Sequence, residues 1–100
     1  MAEYQITCIT KPAHQSHHAE ITHIGNLEDK WRLTLAGAIY QIENRVSTFY
    51  IIDHATGRQC FLEVVRELGG KKYLKAHVDA KWVDILLAQE ECDENCKIVS

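Results

Sequence analysis

Long apolar runs are missing from this sequence: none approaches the roughly 18–20 residues that a membrane span requires. Met1-Ala2-Glu3-Tyr4 lacks the basic and apolar regions of a signal peptide. From these absences a cytoplasmic chain is expected, and its four cysteines are then expected to be reduced. There is a single proline, Pro12, and no internal repeat or low-complexity segment. No Cys-x-x-Cys pair and no His-x-x-x-His on a helix is present, and no serine or cysteine stands out as a nucleophile. Basic excess is absent as well. The net charge of -3 is carried by Glu90, Glu91, Asp93 and Glu94 against Lys97, which leaves residues 1–89 balanced. A balanced body cannot supply the basic stripe that phosphate-backbone binding needs. Arg66, Lys71, Lys72, Lys75 and Lys81 could gather near one hairpin, but a solvated edge is the simpler reading.

What is present is an ordinary globular composition, 46% hydrophobic and 25% charged, sufficient for one core. The organising stretch is Thr48 to Val78. Thr48-Phe49-Tyr50-Ile51-Ile52 is β-branched and aromatic on both faces of the pleat, as in a strand covered on both sides. Asp53 to Gly57 then reads as a turn, with Gly57 free to take positive φ. Gln59 to Leu68 alternates with Cys60, Leu62 and Val64 on the apolar face, Gly69-Gly70 turns, and Lys71 to Val78 returns with Leu74, Ala76 and Val78 on one face. The pattern predicts a three-stranded antiparallel meander, with Lys71-Lys72 protecting an exposed edge.

Glu3 to Lys11 alternates as a half-buried strand that Pro12 ends, and Ile21 to Ile24 reads as a second strand closed by Gly25-Asn26. Thr34 suits the N-cap of a helix ending near Asn44, with Leu35, Ala38, Ile39 and Ile42 on one face. Asp79 suits the cap of a short helix over residues 80–89 that buries Val83, Leu86 and Leu87. The expected fold is α+β: a small, mostly antiparallel five-stranded sheet, a principal helix over residues 34–44 and a short C-terminal helix. Residues 1–91 form the domain in this reading, and residues 92–100 a mobile acidic tail.

Tyr4, Ile6 and Lys11, the run Ile21-Thr22-His23-Ile24-Gly25, Trp31, Ala38, Ile39 and Ile42, then Tyr50, Asp53, Thr56 and Gly57, Tyr73-Leu74-Lys75, Asp79 and Leu86-Leu87 occur in an order that resembles a family of short bacterial domains of unknown function. The resemblance spans nearly the whole chain. It implies one small α+β domain and adds no chemistry. Ala80 stands where that pattern has glycine and Ile85 where it has asparagine.

Several clusters can be weighed chemically. His14, His17, His18 and His23 offer imidazoles to a zinc-like or nickel-like ion, but a loop that merely contains histidines is the simpler reading, and no metal is expected. Cys8 and Cys60 read as small buried apolar residues. Cys92 and Cys96 read as inert thiols of the tail, whose acidic neighbours disfavour reactivity. Asp53, His54, His77 and Asp79 lie at strand ends where an acid/base pair could assemble, although turn and cap roles account for both aspartates. Trp31, Tyr73 and Trp82 could line a pocket or a partner surface. The leading expectation is a non-catalytic binding or regulatory module contacting a protein or peptide, with Tyr73, Lys75, Asp79 and Trp82 as candidate contacts and no cofactor. The alternatives are a metal-binding protein built on the histidine segment 14–23 and a small acid/base enzyme. Membrane and nucleic-acid partners are disfavoured.

Overall fold

The computed structural model describes residues 2–12, 20–67, 69–79 and 81–99. The meander forms as its alternation predicts. β5 (Ser47–Asp53), β6 (Arg58–Arg66) and β7 (Lys72–Val78) run antiparallel, with Tyr50 opposite Phe61 and Val64 opposite Leu74. Phe49, Ile51, Cys60, Leu62, Leu74 and Ala76 are buried on one face of these strands. Gly57, at φ 74°, turns the first hairpin, where its N–H and that of Thr56 donate to the Asp53 carbonyl. Asp53 Oδ1 accepts from the Ala55 N–H, so this aspartate is a turn residue.

The N-terminal strand divides. β1 (Ala2–Gln5) lies parallel to β5, and β2 (Cys8–Thr10) lies antiparallel to β3 (His23–Asn26). Between them the Ile6 N–H donates to the Tyr50 carbonyl and the Thr7 N–H to the Gly25 carbonyl, which carries the chain from one sheet to another. Gly25-Asn26, expected as a turn, belongs to β3. Trp31, expected only to precede the helix, begins β4 (Trp31–Thr34), which pairs with β3. The reversal falls at 27–30, where Lys30 takes φ 59° and Asn26 Oδ1 accepts from the Asp29 N–H.

Helix α1 (Leu35–Glu43) follows at once. Thr34 Oγ1 accepts from the Gly37 N–H at 3.1 Å and Asn44 closes the other end, as the capping pattern predicts. Its buried residues are Ala38 and Ile39. After β7 the expected helix over 80–89 is replaced by β8 (Lys81–Val83) and a single 3-10 turn (Asp84–Leu86). Asp79 caps nothing: it sits at φ 51° in the β7–β8 turn, beside Arg58. Leu86 is nevertheless buried, so one turn meets the apolar demand that suggested a helix. β8 pairs only with Ala76–Val78 of β7, so it does not extend to Lys72 at the start of that strand.

Residues beyond 91, expected as a mobile tail, carry β10 (Lys97–Val99), parallel to β4; just before them, β9 (Glu90–Glu91) runs parallel to β2. Instead of one sheet there are two of five strands, in the orders β1-β5-β6-β7-β8 and β10-β4-β3-β2-β9. Strand makes up 52% of the described residues, so a mainly β description fits as well as α+β. Both sheets and α1 share one core, in which Ile6, Ile9, Ile24, Leu33, Phe49 and Leu74 meet Ile39. Full burial of each such side chain stabilises the fold by about 1.5–3 kcal/mol. Among the described residues no helix is long and apolar enough to cross a membrane.

Candidate functional site

Parallel register sets Tyr4 beside Phe49 and Leu33 beside Val99. Tyr4 stacks on Phe49 with centroids 5.9 Å apart and meets Trp31 edge-on at 5.8 Å. These rings floor a groove between β1 and β10, the outer strands of their sheets, and α1 closes one side with Tyr40 and Gln41. The groove comprises adjoining hollows of about 350 and 500 Å³ that share Tyr4, Leu33, Gln41 and Val99. Among the described residues no charged side chain lines either hollow. Six large apolar residues are exposed among those described, and five of them, Tyr4, Tyr40, Val46, Ile98 and Val99, border this groove. The chemistry available is apolar contact together with the backbone N–H and C=O groups of two strand edges.

Of the residues singled out from sequence, Trp31 lies in this groove and the others described lie elsewhere. Tyr73 and Lys75 are half-buried on β7, and Trp82, 50% exposed, stands on β8 at the opposite edge of the sheet from β1. Trp82 packs edge-on against His77 at 5.7 Å. His77 Nε2 lies 2.9 Å from Glu63 Oε1, an ion pair only with the ring protonated; the direction is poor, and neither ring nitrogen gains a hydrogen bond. Asp53 serves its turn and Asp79 pairs with Arg58, so the aspartates expected to assist His77 are each engaged separately. His54 is exposed. The expected basic cluster is partly neutralised: Glu43 accepts from Arg66 at 3.0 Å and from Lys72 at 2.9 Å, while Lys75 stands opposite Glu63. The hydrogen bond from Lys72 is the main cause that holds the Glu43 carboxyl below its ordinary range, with Arg66 contributing.

His14, His17 and His18 lie outside the described residues. His23 is in β3 with Nδ1 2.9 Å from Thr22 Oγ1, and burial, reinforced by the Arg32 cation, lowers its pKa from the ordinary 6.5.

The cysteines depart most from expectation. Cys8 is buried as foreseen but is not a free thiol: a disulfide joins it to Cys92 across 84 positions, with Cα atoms 4.9 Å apart. The cause is topological. β9 brings residue 92 beside β2, where the Cys92 N–H donates to the Ile9 carbonyl at 3.0 Å. Cys96, 2% exposed, completes a group of three sulfurs within 4.8 Å of one another. Cys60 is a separate buried thiol, its pKa raised first by burial and then by Asp53.

Fold and groove together define a small two-sheet β domain with one helix and an apolar groove. Residues 5–88 match the family described as a protein of unknown function (DUF3892), and the chain belongs to that family. No curated protein and no solved structure matches it.

Proposed function

We propose that this domain is a non-catalytic module that binds an extended, uncharged, apolar peptide segment in the groove between β1 and β10. One observation carries the reading: among the described residues, five of the six exposed large apolar side chains border a single groove that no charged residue lines. Monomeric surfaces scatter such residues singly, so their convergence marks a contact surface. The two flanking strand edges supply the backbone partners that an added strand requires, and alternate side chains of that strand would point onto Tyr4, Trp31 and Tyr40. The neutral lining selects against charged partners, whose burial there would be uncompensated.

Panning the full chain against short randomised peptides is expected to enrich alternating large apolar side chains. Tyr40 is 63% and Ile98 57% exposed, so Tyr40→Asp with Ile98→Lys is expected to abolish that binding while leaving the melting temperature unaltered. Enrichment of charged peptides would overturn the reading. So would a concentration-dependent dimer broken by the same pair of changes, because the groove would then bury itself against a second copy.

A further inference from the structure

The sulfur group of Cys8, Cys92 and Cys96 is independent of the groove and goes beyond the peptide-binding reading. A disulfide uses two sulfurs, whereas here a third, buried one lies within 4.8 Å of both. Three separate stretches of backbone present them. Cys8 is held in β2 opposite Gly25, and Cys92 by its bond to the Ile9 carbonyl. Cys96 closes a turn in which its N–H donates to the Asp93 carbonyl at 3.1 Å and the Asn95 N–H to Asp93 Oδ1 at 2.9 Å. The next residue is anchored too, the Lys97 N–H donating to the Lys30 carbonyl at 3.0 Å. Backbone pairing and hydrogen bonds therefore hold all three residues in addition to the covalent bond.

We propose that reduction of the Cys8–Cys92 bond turns this group into a three-thiolate site for one soft divalent cation of the zinc class. A dithiol reductant passes two electrons and two protons to the bond and becomes a disulfide itself. The cation then displaces the protons of three thiols to solvent, forming three metal–sulfur bonds. Zinc–thiolate bonds of about 2.3 Å set tetrahedral sulfurs roughly 3.8 Å apart, so Cys96 need move inward by no more than about 1 Å while Cys8 and Cys92 separate. Thiolates select zinc over magnesium and calcium. The acids at 90, 91, 93 and 94 give the approach a negative potential that draws a dication. Three protein ligands leave a fourth position, which opens to solvent on the side of half-buried Cys92. The site and the disulfide are alternative states of the same sulfurs, so metal binding is conditional on reduction.

The test is a cobalt titration of the full, untagged chain after phosphine reduction, read by the near-ultraviolet thiolate-to-cobalt charge-transfer band and reversed with zinc. One equivalent is expected to bind the reduced chain and none the oxidised chain through sulfur. Cys96→Ser leaves the disulfide pair intact and is expected to lower both the band and the affinity, the latter at least about tenfold. Should that variant fold poorly, alkylation of wild-type protein provides the second measurement: zinc is expected to protect Cys8, Cys92 and Cys96 while leaving Cys60 unchanged. A reduced chain with no thiolate band, binding indifferent to Cys96→Ser, or equal alkylation with and without zinc would each overturn the proposal. Binding through imidazoles alone gives no thiolate band and falls among these contrary results.

Discussion

Cys92 is tied to Cys8 covalently while its N–H donates to the Ile9 carbonyl, so the C-terminal segment is fastened to β2. Truncation after residue 91 removes this link and β10 together. In the chain-entropy account a closed loop of this length contributes about 4–5 kcal/mol, a large part of a total stability of about 5–15. Removing residues 92–100 is expected to lower the melting temperature sharply, and reducing the intact protein without metal to lower it by less. Superposable melting curves for the two lengths would show that the segment adds nothing to the fold.

Gly25 faces β4 so closely that an added Cβ would stand 2.3 Å from the Trp31 carbonyl oxygen and 2.9 Å from Arg32 Cα. Both obstacles are backbone of a paired strand and cannot swing aside. Gly25→Ala is therefore expected to destabilise the domain by about 1–3 kcal/mol or more, as overpacking of a closed interior does. Urea denaturation checks it, through a lower midpoint with an unchanged slope.

Features governed by near neighbours were legible in the sequence. The Thr34 cap and the apolar face of α1 need only adjacent residues, and β5 to β7 need only alternation and two glycine turns. β9 and β10 have no such signature: Glu90 and Glu91 carry no apolar alternation, and Lys97–Val99 is exposed throughout. Their pairing with β2 and β4 is a long-range outcome. The expected C-terminal helix failed for a related reason, because the spacing of Val83, Leu86 and Leu87 is served equally by β8 and one 3-10 turn. The site inherits these gaps. Trp31 is legible as a ring that could line a pocket or a partner surface, but its setting depends on Tyr4 arriving from β1 and Val99 from β10. The three-sulfur group likewise depends on β9 lying beside β2.

Ile39 is 9% exposed and joins the core cluster with Phe49, Leu62 and Leu74. Ile39→Asp places a charge there with no opposite charge prepared for it, and the outcome expected is an unfolded chain by circular dichroism. Ile39→Val, which removes one methylene, is expected to cost only about 0.5–1.5 kcal/mol and to retain the helix signal. A folded aspartate variant would mean that this face of α1 does not meet the core.

Glu43, at the end of α1, links the helix to the meander through Lys72 Nζ at 2.9 Å and Arg66 Nη2 at 3.0 Å. Its carboxyl is held below the ordinary value of 4.5, chiefly by the Lys72 hydrogen bond, so the folded chain favours the ionised form more than the unfolded chain does. A depressed folded-state pKa gives stability that is fully present above the unfolded value and is lost as pH falls through the folded one. Glu43→Gln is therefore expected to be less stable than the parent at pH 7, with the difference narrowing below pH 4.5 and vanishing once Glu43 is protonated in both states. Lys72→Met should remove most of the pH-dependent difference, because the largest cause of the shift leaves with the ammonium. Parallel melts from pH 7 downward measure it. A gap between the parent and Glu43→Gln that stays constant with pH would mean that the glutamate stabilises by packing its stem and not by its charge.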